Sequence, residues 1–343
     1  MGFFPSGIVG NPLTGGFVPP VPLVNSLLAP FSPAPSVLSL LAQPPATHRW
    51  FFVRQRFTQF LANLNLTVGQ IGDGVTKHSG VVATLNRSYR GVSEGATHRV
   101  LIGSWGKGTQ VRPPRDIDLL FILPVEVYYR FQQRQGNVQS QLLQEVRDVL
   151  RATYPTTGIR GDGQVVTIPF GSYQVEVAPA FLRQGGGYLV CDTHFGGRYK
   201  HVDPDAELAA LTAIDTYHNG NVRKLTRLLK QWQRFCNVPI KSFHLEAAIK
   251  GLLPRVTYSG NDEFWFDWLV RDAFAHLISC TNGSFIMPVT GETISVGDQW
   301  LSRAQSAYER AVKACGYEYN NEQYLAGVEW QKIFGTMIPA IVM

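Results

Sequence analysis

Residues 103–118 read Gly-Ser-Trp-Gly-Lys-Gly-Thr-Gln-Val-Arg-Pro-Pro-Arg-Asp-Ile-Asp, and this stretch decides the fold. A Gly-Ser pair followed by a Gly-Thr pair predicts a loop whose bare backbone can approach a phosphate group closely. Asp116 and Asp118 then open the apolar run Leu119–Leu123, which predicts a buried strand. Because side chains alternate along a strand, the two carboxylates stand on one face at its end. The order of loop, gap and strand predicts a site that holds divalent metal against a nucleoside triphosphate.

The alternative interpretation is that the paired aspartates only solvate a strand edge, where Asp-x-Asp is common. Two buried like charges repel, however, and raise the pKa of one carboxyl group unless a cation neutralises them. We therefore interpret Asp116 and Asp118 as metal ligands.

A third acid lies in the segment Tyr173–Pro179, which alternates as a second strand. Val175 and Val177 face one side of this strand, and Glu176 faces the other. Alone, Glu176 would be interpreted as an edge-strand carboxylate that faces water. Beside the aspartate pair, it predicts a third ligand of the same metal cage.

The composition is that of a globular protein whose partners are anionic. The 343 residues are 45% hydrophobic and 16% charged, with a formal net charge of +6. Positive charge favours nucleotides or nucleic acid. The four cysteines are widely spaced and form no Cys-x-x-Cys motif, which predicts reduced, mostly buried thiols in a cytoplasmic protein.

Residues 1–47 differ from the rest of the chain because they are rich in proline and glycine and contain no charged residue. The prolines recur too often for a transmembrane helix, and no basic region precedes an apolar core as in a signal peptide. The composition of this segment predicts that it is a disordered extension, and the chain is expected to have no membrane partner.

From about Trp50 onwards, the hydrophobic periodicity predicts a mixed α/β region followed by helices. The predicted helices cover 50–64, 67–85, 138–153, 220–236, 262–280 and 298–316, and the predicted strands cover 99–102, 116–124, 164–169 and 173–178.

The motifs Gly103-Ser104-x3-Gly108-Thr109, Asp116-Ile117-Asp118-Leu119 and Val175-Glu176-Val177-Ala178-Pro179-Ala180-Phe181 resemble those of the polymerase-β-like nucleotidyltransferases. Within that superfamily the chain is most similar to the CD-NTase family of bacterial cyclic oligonucleotide synthases, which are relatives of animal cyclic GMP-AMP synthase and oligoadenylate synthase. The resemblance covers roughly residues 55–340. Its further signatures are His218–Asn221, Leu228–Trp232, Lys241–Glu246 and Trp330–Gly335. The family usually has aspartate as its third acid, where this chain has Glu176.

The resemblance implies an α+β fold, in which a nucleotidyltransferase core with a mixed sheet packs on a C-terminal helical domain. The expected division is a catalytic core with N-terminal helices at 48–205 and a helical, oligoadenylate-synthase-like nucleotide-binding domain at 206–343. The implied reaction is the magnesium-dependent joining of nucleoside triphosphates into a cyclic di- or trinucleotide second messenger, with release of pyrophosphate. The implied role is antiphage signalling through a downstream effector protein, with a regulatory partner as a further expectation.

The expected site follows from these motifs. Two Mg²⁺ ions, with Mn²⁺ as the alternative, would be held by the catalytic acids Asp116, Asp118 and Glu176. Backbone amides around Gly103 and Ser104 would hold phosphates. By resemblance, Lys230 and Ser242 contact the triphosphate.

Two residue types near this site have simpler interpretations. Ser242 is also placed to cap a helix that begins at Phe243. Arg223, Arg227 and Arg234 share a helix with Lys230 and are interpreted as its solvated face.

Two alternative functions remain open at the level of sequence. One is a templateless RNA-tailing or linear oligonucleotide synthase, although no separate RNA-binding module is visible and no obligate nucleic-acid partner is expected. The other is a non-enzymatic nucleotide-binding or antitoxin-like module, which the presence of all three acids disfavours.

Overall fold

The computed structural model describes residues 50–286 and 291–343. The predicted extension at 1–47 lies outside these residues. The helices are α1 Phe51–Asn63, α2 Val68–Arg90, α3 Gly103–Lys107, α4 Val125–Gln132, α5 Val138–Thr153, α6 Pro204–Tyr217, α7 Asn221–Phe235, α8 Ser242–Leu252, α9 Phe266–Ser279, α10 Leu301–Tyr319 and α11 Gln323–Phe334. The strands are β1 Arg99–Leu101, β2 Asp116–Ile122, β3 Arg160–Asp162, β4 Val165–Pro169, β5 Gln174–Leu182, β6 Tyr188–Asp192, β7 Arg198–Val202, β8 Ser284–Ile286 and β9 Thr293–Ser295.

A seven-stranded mixed sheet organises the first half of the chain. Its strand order is β1-β2-β5-β4-β3, and β6 and β7 extend from the end of β5. The central strands β2 and β5 run parallel, whereas the other pairs in the sheet are antiparallel. The predicted α/β class is therefore confirmed, and the two acid-bearing strands are neighbours in the sheet.

The buried face of the sheet packs against α2 and α5. Ile117 and Leu119 of β2 and Val175 and Val177 of β5 are fully buried in one apolar cluster with residues of these helices. At about 25 cal/mol for each Å² of apolar surface removed from water, such a cluster is the main source of stability for this half. It also fixes the register that places the acids on the opposite face.

The second helix extends beyond its predicted end at Leu85 and continues to Arg90. Asn86 explains this difference, because its side chain is fully buried and its amide donates to the carbonyl of Glu94 at 2.6 Å. The helix ends at Gly91, whose φ of +71° is the left-handed conformation that favours glycine.

A second apolar cluster fills the C-terminal half and includes the fully buried Trp232, Trp300 and Trp330. Helix α1 also belongs to this cluster, through Phe57 and Phe60. The predicted boundary at residue 205 falls at the start of α6, and the division into domains stays a prediction.

The structure confirms the cysteine interpretation in part. All four cysteines are free, and Cys191, Cys280 and Cys315 are buried. In the parts of the chain that the structure describes, no helix combines the length and apolar character needed to cross a membrane.

Candidate active site

The paired aspartates lie at the start of β2, on the face of the sheet away from the apolar cluster. Asp116 is exposed and Asp118 is half-buried, whereas the intervening Ile117 is fully buried. In the parallel pairing with β5, Asp118 is opposite Glu176. Strand alternation and register therefore bring the three predicted acids into one neighbourhood.

Helix α3 occupies the segment in which the sequence predicts a loop. Gly106 donates its backbone N–H to the carbonyl of Ile102 at 3.0 Å, and Thr109 donates to Ser104 at 3.0 Å, so the segment closes into a short helix. Gly103 begins this helix with φ +56°. A Cβ atom at Gly103 would lie 1.9 Å from Oδ2 of Asp118. Only glycine lets this helix lie directly against the aspartate.

The electrostatics of Asp118 show an excess of negative charge. Its pKa is raised to about 6, first because of burial and then because of the charges of Glu176 and Asp116, while the charge of Lys230 lowers it. An ionised carboxylate pair in this position is stabilised by a cation, and carboxylate oxygens are the ligands that Mg²⁺ prefers. Asp116 and Asp118 therefore fit a divalent metal.

The role of Glu176 as a third metal ligand stays a prediction. Within residues 50–286 and 291–343, no group of three or more His, Cys, Asp or Glu side chains is arranged to hold a metal ion. Glu176 accepts a hydrogen bond from Nε2 of Gln174 at 2.7 Å, and it does not line the cleft described below. Gln174 lies two residues away on the same strand face, and it therefore reaches one oxygen of this carboxylate.

A cleft of about 640 Å³ lies between the sheet and helices α7 and α8. It collects six of the seven predicted site residues, namely Gly103, Ser104, Asp116, Asp118, Lys230 and Ser242. These residues are up to 139 positions apart in sequence, and the fold brings them to one surface.

Lys230 and Ser242 form the far wall of this cleft. Nζ of Lys230 donates to the carbonyl of Thr109 at 2.9 Å, and its pKa falls to about 8, first because of burial and then because of the charge of Arg234. The prediction that Ser242 caps a helix from Phe243 is wrong. The helix begins at Ser242 itself, and the hydroxyl donates to Oε1 of Gln233 at 3.0 Å, so it is held by α7.

Lys107 is a cleft residue that the sequence analysis missed. Its Nζ lies 3.2 Å from both carboxylate oxygens of Glu246, which is almost fully buried, and 3.9 Å from Glu207. The carbonyl of Lys107 accepts from Nε of Arg223 at 2.8 Å. Three helices of the C-terminal half thus hold the end of α3. No local pattern could reveal this, because Lys107 and Glu246 are 139 residues apart.

The interpretation of the α7 arginines as a solvated face is wrong. Nη2 of Arg227 donates to Asn65 Oδ1 at 2.7 Å, and Nη1 of Arg234 donates to the carbonyl of Pro113 at 2.7 Å. With Arg223, these side chains connect α7 to earlier segments of the chain. Arg234 also lines the cleft.

The chain is similar to known proteins in sequence and in fold. Residues 52–214 match the family model of the Second Messenger Oligonucleotide or Dinucleotide Synthetase domain. The chain is 21% identical over 280 residues to a probable cyclic nucleotide synthase of Bacillus cereus (strain VD146), with 69% of this chain and 81% of the relative covered.

Solved structures share the fold. Escherichia coli MS115-1 CdnC, in a complex with HORMA-deltaN, matches with a TM-score of 0.62 and 18% identity over 83% of this chain and 98% of its own. Vibrio cholerae DncV cyclic AMP-GMP synthase, bound to the linear intermediate 5′ pppA(3′,5′)pG, matches with a TM-score of 0.59 and 15% identity. That alignment covers 90% of this chain and 92% of DncV.

Proposed function

Because the chain belongs to the CD-NTase family of second-messenger nucleotidyltransferases, we propose that it joins nucleoside triphosphates into a cyclic di- or trinucleotide and releases pyrophosphate. The observation that carries this proposal is the contact between α3 and the aspartate pair. A segment suited to phosphate, through Gly103 and Ser104, lies directly against Asp118 in a cleft that Asp116 and the half-buried Lys230 also line.

In this proposal the phosphate chain of the donor nucleotide lies between α3 and α7. The first backbone N–H groups of α3 and the hydroxyl of Ser104 would bind phosphate oxygens, because N–H groups at the start of a helix lack partners within it. Lys230 would neutralise the triphosphate tail from the opposite wall, and Ser242 would donate to it. Lys230 donates a hydrogen bond to the carbonyl of Thr109, and Ser242 donates one to Gln233. These hydrogen bonds fix both side chains before substrate enters.

Asp116 and Asp118 would hold divalent metal, magnesium by preference. A bound divalent ion would neutralise charge on the transferring phosphoryl group and favour ionisation of the attacking hydroxyl. The two aspartates would thereby orient the reacting groups in line.

Glu176 is proposed to accept the proton of the acceptor hydroxyl and to contribute as the third ligand. Its carboxylate must first turn away from Gln174, with which it is hydrogen-bonded. As a side chain one methylene longer than aspartate, glutamate has the reach for this rotation.

The reaction is tested by mass spectrometry of products formed from four nucleoside triphosphates and Mg²⁺. A cyclic product survives alkaline phosphatase, has no terminal phosphate and is absent with the Asp116→Ala, Asp118→Ala double variant. Extension of a labelled RNA primer without any phosphatase-resistant product would instead support the RNA-tailing alternative.

A role in antiphage signalling, with a downstream effector and a regulatory protein as partners, is part of this proposal. CdnC was solved with HORMA-deltaN, and the similar fold supports a protein regulator for this chain as well. Cells that carry the natural locus should lose protection against phage when Asp116 and Asp118 are replaced. Unchanged plaque counts would contradict that role.

A further inference from the structure

The cations of the cleft divide into those that the protein itself neutralises and those that it does not. Lys107 is paired with Glu246, as described above. Arg115 and Arg234 also line the cleft. Neither guanidinium lies within ion-pair distance of a carboxylate of residues 50–286 or 291–343. The cleft therefore presents two arginines whose charge is not paired with an acid.

These two arginines also act on each other. The pKa of Arg234 is lowered to about 10, first because of burial and then because of the nearby charge of Arg115, while the charge of Asp116 raises it. Arg234 is nevertheless held in place, because its Nη1 donates to the carbonyls of Pro113 at 2.7 Å and of Val111 at 3.4 Å. Holding two like charges near each other without a direct ion pair costs free energy, which a bound anion would recover.

The pair is displaced from the subsite already assigned to the donor triphosphate. Arg234 follows Lys230 by four residues on α7, which places it on the same helix face and about 6 Å further along the axis. Nζ of Lys230 donates to the carbonyl of Thr109, whereas Nη1 of Arg234 donates to the carbonyl of Pro113. The two cations therefore contact different parts of the segment that joins α3 to β2.

We propose that Arg115 and Arg234 form a second phosphate subsite in the cleft, which holds the 5′-phosphate chain of the acceptor nucleotide. The inference rests on the proposed nucleotidyl transfer, in which two nucleotides must meet at one aspartate pair. Guanidinium groups suit this task because their planar donors bind phosphate oxygens in pairs. A phosphate held here would position the acceptor hydroxyl against the donor without using Lys230 or Ser104.

The first experiment does not require catalysis. Inorganic pyrophosphate is titrated calorimetrically into the metal-free wild type, Arg115→Gln and the charge control Lys313→Gln. The Arg115 side chain is exposed and makes no hydrogen bond among the described residues, so its replacement leaves the fold intact, and Lys313 is exposed on α10, away from the cleft. We expect two binding events in the wild type and in Lys313→Gln, with one of them weakened about tenfold in Arg115→Gln. Identical titrations of Arg115→Gln and the wild type would overturn the subsite.

The second experiment identifies which nucleotide supplies the phosphate. Transfer is measured with the acceptor given as nucleoside, 5′-monophosphate or 5′-triphosphate, at a saturating concentration of donor. The wild type should have a lower KM for phosphorylated acceptors than for the nucleoside. Arg115→Gln should raise the KM for phosphorylated acceptors about tenfold and leave the donor KM unchanged. A rise in the donor KM alone would overturn the assignment to the acceptor. Two pyrophosphate sites in a wild type that forms no product would overturn the proposed reaction and support the anion subsite.

Discussion

Replacement of Gly103 by alanine tests whether the position of the Asp118 carboxylate controls the reaction rate independently of the stability of the fold. The new Cβ would lie 1.9 Å from Oδ2 of Asp118, and an ordinary contact needs at least 3.4 Å, so the carboxylate must move by about 1.5 Å. A misplacement of about 1 Å in a catalytic geometry can cost ~100-fold in rate. The φ of +56° adds backbone strain of about 1–2 kcal/mol for any residue with a Cβ. We therefore expect Gly103→Ala to lower kcat for pyrophosphate release about 100-fold.

Gly108→Ala is the matched control at the other end of α3. Its φ of +68° imposes similar backbone strain, but the nearest atom to its Cβ is Nε of Arg223, at 3.9 Å. Urea unfolding should show that both variants lose about 1–2 kcal/mol of stability. Only Gly103→Ala should lose the rate, measured per folded molecule with saturating nucleotide. Equal kcat values for the two variants would refute the argument that α3 and Asp118 form one catalytic unit.

Two further substitutions test the electrostatics. Because the pKa of Asp118 is raised to about 6 in the fold, the metal-free protein loses stability as the pH rises from about 4 to 6. Asp118→Asn should therefore raise the free energy of unfolding by up to about 3 kcal/mol at pH 8 and change it little at pH 4. A gain at pH 4 as large as that at pH 8 would contradict this cause. Arg56→Met should cost about 3–5 kcal/mol in urea unfolding, since it leaves the buried Glu318 without its partner at 2.7 Å. Arg54→Met removes an exposed ion pair and should lower the free energy of unfolding by less than about 1 kcal/mol. Similar losses in both variants would contradict the explanation that burial of the Arg56–Glu318 pair causes the larger loss.

The aspartate pair could be predicted because its signal is local. Alternation along β2 places Asp116 and Asp118 on one face, and the apolar residues between and after them identify the other face. Glu176 could be predicted to the correct strand and face for the same reason. Its hydrogen bond to Gln174 could not, because the choice between neighbouring polar side chains depends on rotamers and not on periodicity.

The far side of the cleft could not be predicted from periodicity, since it depends on tertiary contacts. Lys230 and Ser242 were indicated only by resemblance to a known family, and the hydroxyl of Ser242 binds Gln233 instead of capping its own helix. The pairing of Lys107 with Glu246 joins distant segments and has no sequence signature. Arg234 looked like one charge on a polar helix face until the fold placed it in the cleft.

In the proposed reaction, Asp116 and Asp118 form the catalytic centre of nucleotidyl transfer. The most direct measurement is magnesium-dependent pyrophosphate release from nucleoside triphosphates by the wild type and by the Asp116→Asn, Asp118→Asn double variant, each verified as folded by circular dichroism. We predict steady release by the wild type, its loss on chelation of the metal, and no detectable release by the folded double variant. Undiminished release by that variant would contradict the account.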